Sequence, residues 1–127
     1  MKWKHLASPA TPLPTPWDKA GYEKHATDVQ KRRREVRAQR KPESDMDALF
    51  VAQRNWEEKF LSSQKYSGKV GAFEGAMYEA RGYYRPQLDC VMFTRDRVPF
   101  CAVCQSAISE VIDLYVGPPT QAPRSTP

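Results

Sequence analysis

The chain is organised around residues 70–115, which read VGAFEGAMYEARGYYRPQLDCVMFTRDRVPFCAVCQSAISEVIDLY. Three of the six glycines, all three cysteines and four of the six tyrosines of the chain lie in this stretch. Glycine can adopt positive φ angles, so its frequent use here predicts an irregular, Gly-rich loop over residues 67–98. Apolar side chains then recur at helical spacing and predict a buried C-terminal helix over residues 99–116, which begins at Pro99 and braces the loop.

Residues 17–66 predict an antiparallel helical hairpin before this loop. The sequence TPWD at residues 15–18 has the Thr cap, the first-position Pro and the acidic residue that begin a helix. Pro42 ends this helix, and residues 44–47 begin the second one by the same capping logic. The first helix has a thin apolar stripe, made of Tyr22, Ala26, Val29, Arg33 and Val36. The second has a stronger one, made of Met46, Leu49, Phe50, Gln53, Trp56 and Phe60.

Proline-rich segments flank these elements. Residues 1–16 contain four prolines, which exclude a helix or a central strand and predict an extended arm. Trp3, Leu6 and Leu13 indicate that this arm lies on the rest of the protein, whereas the Pro, Thr and Ser of residues 117–127 predict a disordered tail. The chain is therefore predicted to form one mainly helical domain, residues 17–116, between an arm and a tail.

The net charge of +5 belongs to one segment, residues 18–41, which holds nine Lys or Arg against four Asp or Glu. Such a cluster can bind nucleic acid by releasing counterions from phosphates. Because no stacking aromatic accompanies the basic run at residues 31–34 and Glu35 interrupts it, the sequence favours a solvated helix face. No apolar run is long enough to cross a membrane, and the N-terminus lacks the apolar stretch of a secretory signal, so no membrane partner is expected.

A series of short motifs runs through the central stretch and the arm. The motifs are GAFEG at residues 71–75, YRP at 84–86, DCVM at 89–92, FCAVC at 100–104, WKHL at 3–6 and TPLPTPW at 11–17. In their order and spacing they resemble the C-terminal half of the catalytic domain of IgA-peptidase-type zinc metallopeptidases, and the resemblance covers nearly all of the chain. Met77 departs from the family pattern, in which Gly is expected.

The resemblance implies the fold of the C-terminal subdomain of a zincin and the hydrolysis of peptide bonds by a zinc-activated water. It also implies a peptide or protein substrate and a secreted or periplasmic location. The family's zinc helix carries an HExxH motif, which is absent here because the only histidines are His5 and His25. The chain is therefore expected to be a truncated catalytic domain that binds no zinc and is inactive alone.

The resemblance also indicates site residues. Tyr84 and Arg85 are candidate donors to the oxyanion of the tetrahedral intermediate, since neither must lose a proton to donate. The structural alternative is that Tyr84 packs and Arg85 pairs with Asp89 or Glu74. Met92 is a candidate for the methionine of a Met-turn, which floors the zinc site in such enzymes; the alternative is that it fills a gap in the core.

The three cysteines leave three arrangements open. A structural zinc held by Cys90, Cys101 and Cys104 would lack a fourth protein ligand, because no histidine lies nearby in the sequence. A disulfide from Cys90 to Cys101 or Cys104 is the expected arrangement in a secreted family. In the third arrangement all three remain buried thiols.

Two other function classes compete with the peptidase interpretation. One is a non-catalytic helical interaction module, and the other is a basic nucleic-acid-binding protein that uses residues 18–41. An in-frame HExxH motif in the coding DNA upstream would favour the peptidase, and salt-dependent retention on DNA would favour the nucleic-acid binder.

Overall fold

A computed structural model describes residues 1–117 of the chain, so most of the predicted tail lies outside the described residues. After a single 3-10 turn at Lys4–Leu6 come helices α1 (Lys19–Ala38) and α2 (Glu43–Ser62), strands β1 (Phe73–Ala76) and β2 (Glu79–Arg85), and helix α3 (Ala102–Val116). The prediction of a mainly helical fold is confirmed.

The helical hairpin forms from α1 and α2, which pack against each other. Helix α1 begins three residues later than the predicted cap at Thr15 implies, because Asp18 is its N-cap and accepts a hydrogen bond from the Gly21 N–H at 3.0 Å. The predicted apolar stripe of α1 is the face that packs, although Val29 is its one buried residue among those described. Of the predicted stripe of α2, Met46 is buried and the other members are half-buried; Leu61, which lies outside that stripe, is also buried.

The segment predicted as an irregular loop contains a two-stranded antiparallel sheet, so this part of the prediction is wrong. Strand β1 pairs with β2 in the register Phe73↔Arg85 and Glu74↔Tyr84, and a β-bulge follows at Gly75, whose φ is 107°. Met77 and Tyr78 form the connecting turn with φ angles of 54° and 63°. A two-residue turn with both φ angles positive normally contains Asn or Gly, and neither residue is present at these two positions to predict it.

The N-terminal arm contacts the two residues just before β1 and so lies on the rest of the protein, although Leu6 and Leu13 are exposed. The Trp3 Nε1–H donates to the Gly71 carbonyl at 2.7 Å. Thr15 makes two further bonds: its N–H donates to the Ala72 carbonyl at 2.8 Å, and its Oγ1 accepts from the Ala72 N–H at 2.9 Å. A Cβ atom at Gly71 would come within 2.2 Å of Thr15 Oγ1, so this close approach requires glycine.

The hydrophobic core lies where the end of α2, strand β1 and the segment after β2 meet. Leu61, Phe73 and Leu88 are almost completely inaccessible to solvent and contact one another. Four partly buried aromatic side chains pack around them, namely Trp17, Tyr22, Phe60 and Tyr66. Helix α3 contributes no residue to this cluster.

Helix α3 begins at Ala102 rather than at Pro99, with Cys101 as its N-cap. It contains no buried residue, which contradicts the prediction of a buried helix that braces the loop. The apolar side chains of α3 recur at helical spacing and form one face of the helix, but no other part of the described residues 1–117 packs over that face. The exposed side chains are Ile108, Val111, Ile112, Leu114, Tyr115 and Val116. None of the helices in this part of the chain is both long and apolar enough to cross a membrane.

We expect Leu61→Ala to lower the free energy of unfolding by about 2–5 kcal/mol, because the substitution opens a cavity at a fully buried position. Leu114→Ala is the matched control: Leu114 is 83% exposed, and the same truncation there should change stability by less than about 0.5 kcal/mol. Urea unfolding of both variants measures the two values. Similar losses would contradict both the position of the core and the exposure of α3.

Candidate functional site

The side chain of Arg85 is enclosed by aromatic rings, although the residue carries a charge. Arg85 is 9% exposed. Its Cζ atom lies 4.8 Å from the ring centre of Trp17 and 5.5 Å from the ring centres of Tyr22 and Phe93. A guanidinium is planar and weakly hydrated, so it can be stacked on aromatic faces at lower cost than an ammonium. Burial lowers the pKa of Arg85, but an arginine remains charged at neutral pH.

Strand alternation separates the two residues predicted to be oxyanion donors. Arg85 pairs with Phe73, so both side chains lie on the inner face of the sheet, whereas Tyr84 pairs with Glu74 on the outer face and is exposed. Glu74 does not pair with Arg85; its carboxylate binds the Lys19 ammonium at 2.8 Å. This contact is the main reason that the pKa of Glu74 is lowered. Tyr84 and Arg85 therefore do not converge on one point.

Asp96 is a buried carboxyl group close to the arginine cage. The residue is 4% exposed, and within residues 1–117 neither of its carboxyl oxygens has a hydrogen-bond partner. Burial, with a further contribution from the neighbouring carboxyl group of Asp89 and from Glu57 and Glu58, raises the pKa of Asp96 to about 8. The environment of Asp96 therefore favours the protonated, uncharged form of its carboxyl group. Sequence reasoning missed this residue, because nothing in TRDR at residues 94–97 distinguishes its carboxyl group from a surface one.

Glu57 on α2 is a buried carboxyl group, and His25 on α1 is a half-buried imidazole. Glu57 accepts a hydrogen bond from Gln53 Nε2 at 2.9 Å, but burial still raises the pKa of its carboxyl group. The ring of His25 stacks on Trp56 with 3.6 Å between centres, and Trp56 stacks in turn on Phe60. Burial lowers the pKa of His25. His25 therefore acts as a packing residue between α1 and α2.

Met92 lies in a tight turn directly after Cys90. The N–H groups of Phe93 and Thr94 both donate to the Cys90 carbonyl at 3.1 Å, which closes the turn. The Met92 side chain is 64% exposed, so it does not fill a gap in the core. It lines a cavity of about 330 Å³ together with Glu57 and with Tyr78 of the hairpin turn.

The three cysteines converge at the base of α3, although they are spread over fifteen positions in the sequence. Their Sγ atoms all lie within 4.8 Å of one another, and those of Cys90 and Cys104 are 3.8 Å apart. Cys90 and Cys101 are buried and Cys104 is half-buried. All three are free thiols in the structure, so the predicted disulfide stays a prediction.

Within the described residues, the cysteine cluster is the one group of His, Cys, Asp and Glu side chains close enough to hold a metal ion. His5 is exposed on the arm and His25 is stacked between the helices, so neither belongs to a ligand set. The residues of this chain therefore do not fit a catalytic zinc site of the HExxH kind.

The site thus combines a cluster of three thiols with two histidines that lie far apart and do not form a pair. The matching family model is IgA Peptidase M64, and it matches residues 1–112 of the 127. The chain belongs to this metallopeptidase family, and the resemblance of its motifs is confirmed. No curated protein and no solved structure matches the chain significantly.

We expect the free energy of unfolding to depend on pH through Asp96. The pKa of its carboxyl group is about 8 in the folded chain and near 3.8 in the unfolded one. Between these values the folded chain keeps a proton that the unfolded chain releases, so this residue lowers stability as the pH rises from about 4 to about 8. Asp96→Asn replaces the carboxyl group by an amide that does not titrate in this pH range. The stability of the variant relative to the wild type should therefore increase by at least about 1 kcal/mol between pH 5 and pH 8.

The matched control is Asp113→Asn on the exposed surface of α3, which should follow the wild-type pH profile. Denaturant unfolding across the pH series measures all three proteins. Parallel profiles for Asp96→Asn and the wild type would show that Asp96 is ionised in the folded chain and would contradict the raised pKa.

Arg85→Lys tests the aromatic cage. A lysine keeps the charge but cannot stack a planar guanidinium on the rings of Trp17, Tyr22 and Phe93, so we expect a loss of about 2 kcal/mol in the free energy of unfolding. Arg81→Lys, an exposed position on the same strand, should cost less than about 0.5 kcal/mol. If the two substitutions had equal effects in thermal unfolding, stacking would not explain the burial of Arg85.

Proposed function

We propose that this chain is the C-terminal part of a zinc metallopeptidase catalytic domain and that it does not hydrolyse peptide bonds by itself. One observation carries the proposal: the family match over residues 1–112 occurs in a sequence that has no HExxH motif. Membership of a peptidase family implies a peptide or protein substrate. The family resemblance also supports a secreted or periplasmic location.

In the intact enzyme, zinc would supply an activated water for attack on the peptide bond. The residues of this chain would line the active site around the zinc ion without binding the ion as the HExxH histidines do. Tyr84 is exposed, and its hydroxyl group can donate a hydrogen bond to a developing oxyanion without losing its proton. The exposure of Met92 in its tight turn supports a role as the floor of the site, in the manner of a Met-turn.

Arg85 would act as a positioning residue, since its guanidinium lies within the aromatic cage. The cage connects the end of β2 with Trp17, before α1, and with Phe93, in the turn that carries Met92. Arg85 would therefore hold Tyr84 and Met92 in a fixed relation while contacting no substrate itself.

A second candidate function is favoured by the uncovered apolar face of α3. In that case the chain would be a non-catalytic interaction module, and α3 would be its contact element. Both candidate functions have the same fold. In the first the chain forms part of a catalytic domain, and in the second it takes no part in catalysis.

We expect the purified chain to show no chelator-sensitive cleavage of a denatured protein substrate. The reason is that lowering the pKa of water to about 7 requires zinc held by suitably placed ligands, and the two histidines do not supply them. A zinc metallopeptidase of known activity, assayed beside it, serves as the positive control. Cleavage that is lost on adding a chelator and in His5→Ala would overturn the proposal.

The coding DNA separates the two candidate functions. An in-frame HExxH motif upstream of Met1 would support the partial catalytic domain. A stop codon immediately upstream, combined with an inactive chain, would support the interaction module.

A further inference from the structure

The convergence of the cysteines matches the geometry of thiolate metal sites. In a tetrahedral zinc site with Zn–S bonds of about 2.3 Å, the sulfur atoms lie about 3.8 Å apart. The Sγ atoms of Cys90 and Cys104 already have this separation, and the third sulfur lies within 4.8 Å of both. A small rotation of side chains is therefore enough to place three sulfurs around one ion.

The local backbone presents the sulfurs to a common point. Cys101 and Cys104 form a Cys-x-x-Cys pair that spans the N-cap and the first turn of α3, which is a usual ligand spacing for zinc. Cys90 comes from the tight turn before it, and its Sγ accepts hydrogen bonds from the Cys101 N–H at 3.2 Å and the Met92 N–H at 3.5 Å. Backbone donors aimed at sulfur stabilise a thiolate, which is the form that binds metal.

From this geometry we propose that Cys90, Cys101 and Cys104 bind a zinc-class metal ion through three thiolates. A single disulfide would use two of the sulfurs and leave the third without a role, whereas one metal ion uses all of them. Soft thiolate ligands select metals such as Zn²⁺ over Mg²⁺ or Ca²⁺. This inference does not depend on the proposed peptidase function, since the cluster stands apart from any histidine pair.

The fourth coordination position would face the side of Cys104, the half-buried member of the cluster. No His, Asp or Glu side chain of residues 1–117 belongs to the group, so the fourth ligand would be water or a donor from another molecule. Such a site joins the turn at residues 90–94 to the first turn of α3. The metal would therefore replace the packing that α3 lacks, by fixing the N-terminal end of the helix to the core.

The test uses the full chain, purified under reducing conditions and freed of metal, and titrated with Co²⁺ alone. We expect saturation at an equimolar amount, with intense visible bands and sulfur-to-cobalt charge-transfer absorption typical of tetrahedral thiolate coordination. Zn²⁺ should displace Co²⁺ and abolish these bands. Weak bands of an octahedral ion, or no binding, would overturn the proposal.

Two variants locate the site. Cys104→Ser removes the most accessible ligand and should weaken Co²⁺ affinity by more than about a hundredfold, because losing a ligand exceeds the effect of losing its supporting partners. His5→Ala removes an exposed histidine outside the cluster and should leave the affinity unchanged. Loss of binding in His5→Ala but not in Cys104→Ser would place the metal elsewhere and overturn the inference. Circular dichroism checks that both variants are folded.

A measurement on the unaltered chain completes the test. The reaction of the thiols with a disulfide reagent should be slow when Zn²⁺ is bound and fast after a chelator is added. Mass spectrometry without reduction then distinguishes the competing arrangement: a disulfide between Cys90 and either partner in the native protein would overturn the metal site and support the sequence-based expectation instead.

Discussion

The structure depends on the burial of one charged side chain, that of Arg85. An isolated buried charge is costly, and here the aromatic faces of Trp17, Tyr22 and Phe93, together with the nearby carboxyl groups of Asp89 and Glu57, offset the cost. These residues come from four separate parts of the chain. A single guanidinium thereby connects the start of the helical hairpin, the small sheet and the turn after Cys90. The apolar core of Leu61, Phe73 and Leu88 packs beside it.

The turn at residues 90–94 belongs to both of the chemically distinctive regions. Phe93 contributes to the aromatic cage, while Cys90 contributes a sulfur to the thiol cluster and accepts the N–H of Met92. A displacement of the backbone at the aromatic cage would therefore also move the thiol cluster, because Phe93 and Cys90 are only three residues apart. This arrangement explains why a chain with few long-range contacts around α3 still holds the start of that helix close to the core.

Apolar periodicity and capping motifs predicted the two helices of the hairpin and their packing faces, because these features are determined by residues close in the sequence. The sheet was missed because its turn uses Met77 and Tyr78 at positive φ, where the usual signal is Asn or Gly. The exposure of α3 was missed because an apolar stripe indicates burial without identifying what covers it. Family motifs drew attention to Arg85 and the cysteines, but only three-dimensional distances show that Arg85 is enclosed and that the three sulfurs meet.

The pairing of the two strands has an evolutionary consequence. Six of the seven residues of β2 are exposed, so packing restricts few of its side chains; the exceptions are Gly82, whose φ of 82° disfavours other residues, and Tyr84, the proposed oxyanion donor. Its length cannot vary in the same way, because consecutive residues face opposite sides of the sheet. Deleting one codon from β2 would carry Arg85 into the outward position that Tyr84 now occupies, and would leave the aromatic cage empty. Among descendants of this gene, we therefore expect substitutions to accumulate in this strand while insertions and deletions are removed by selection.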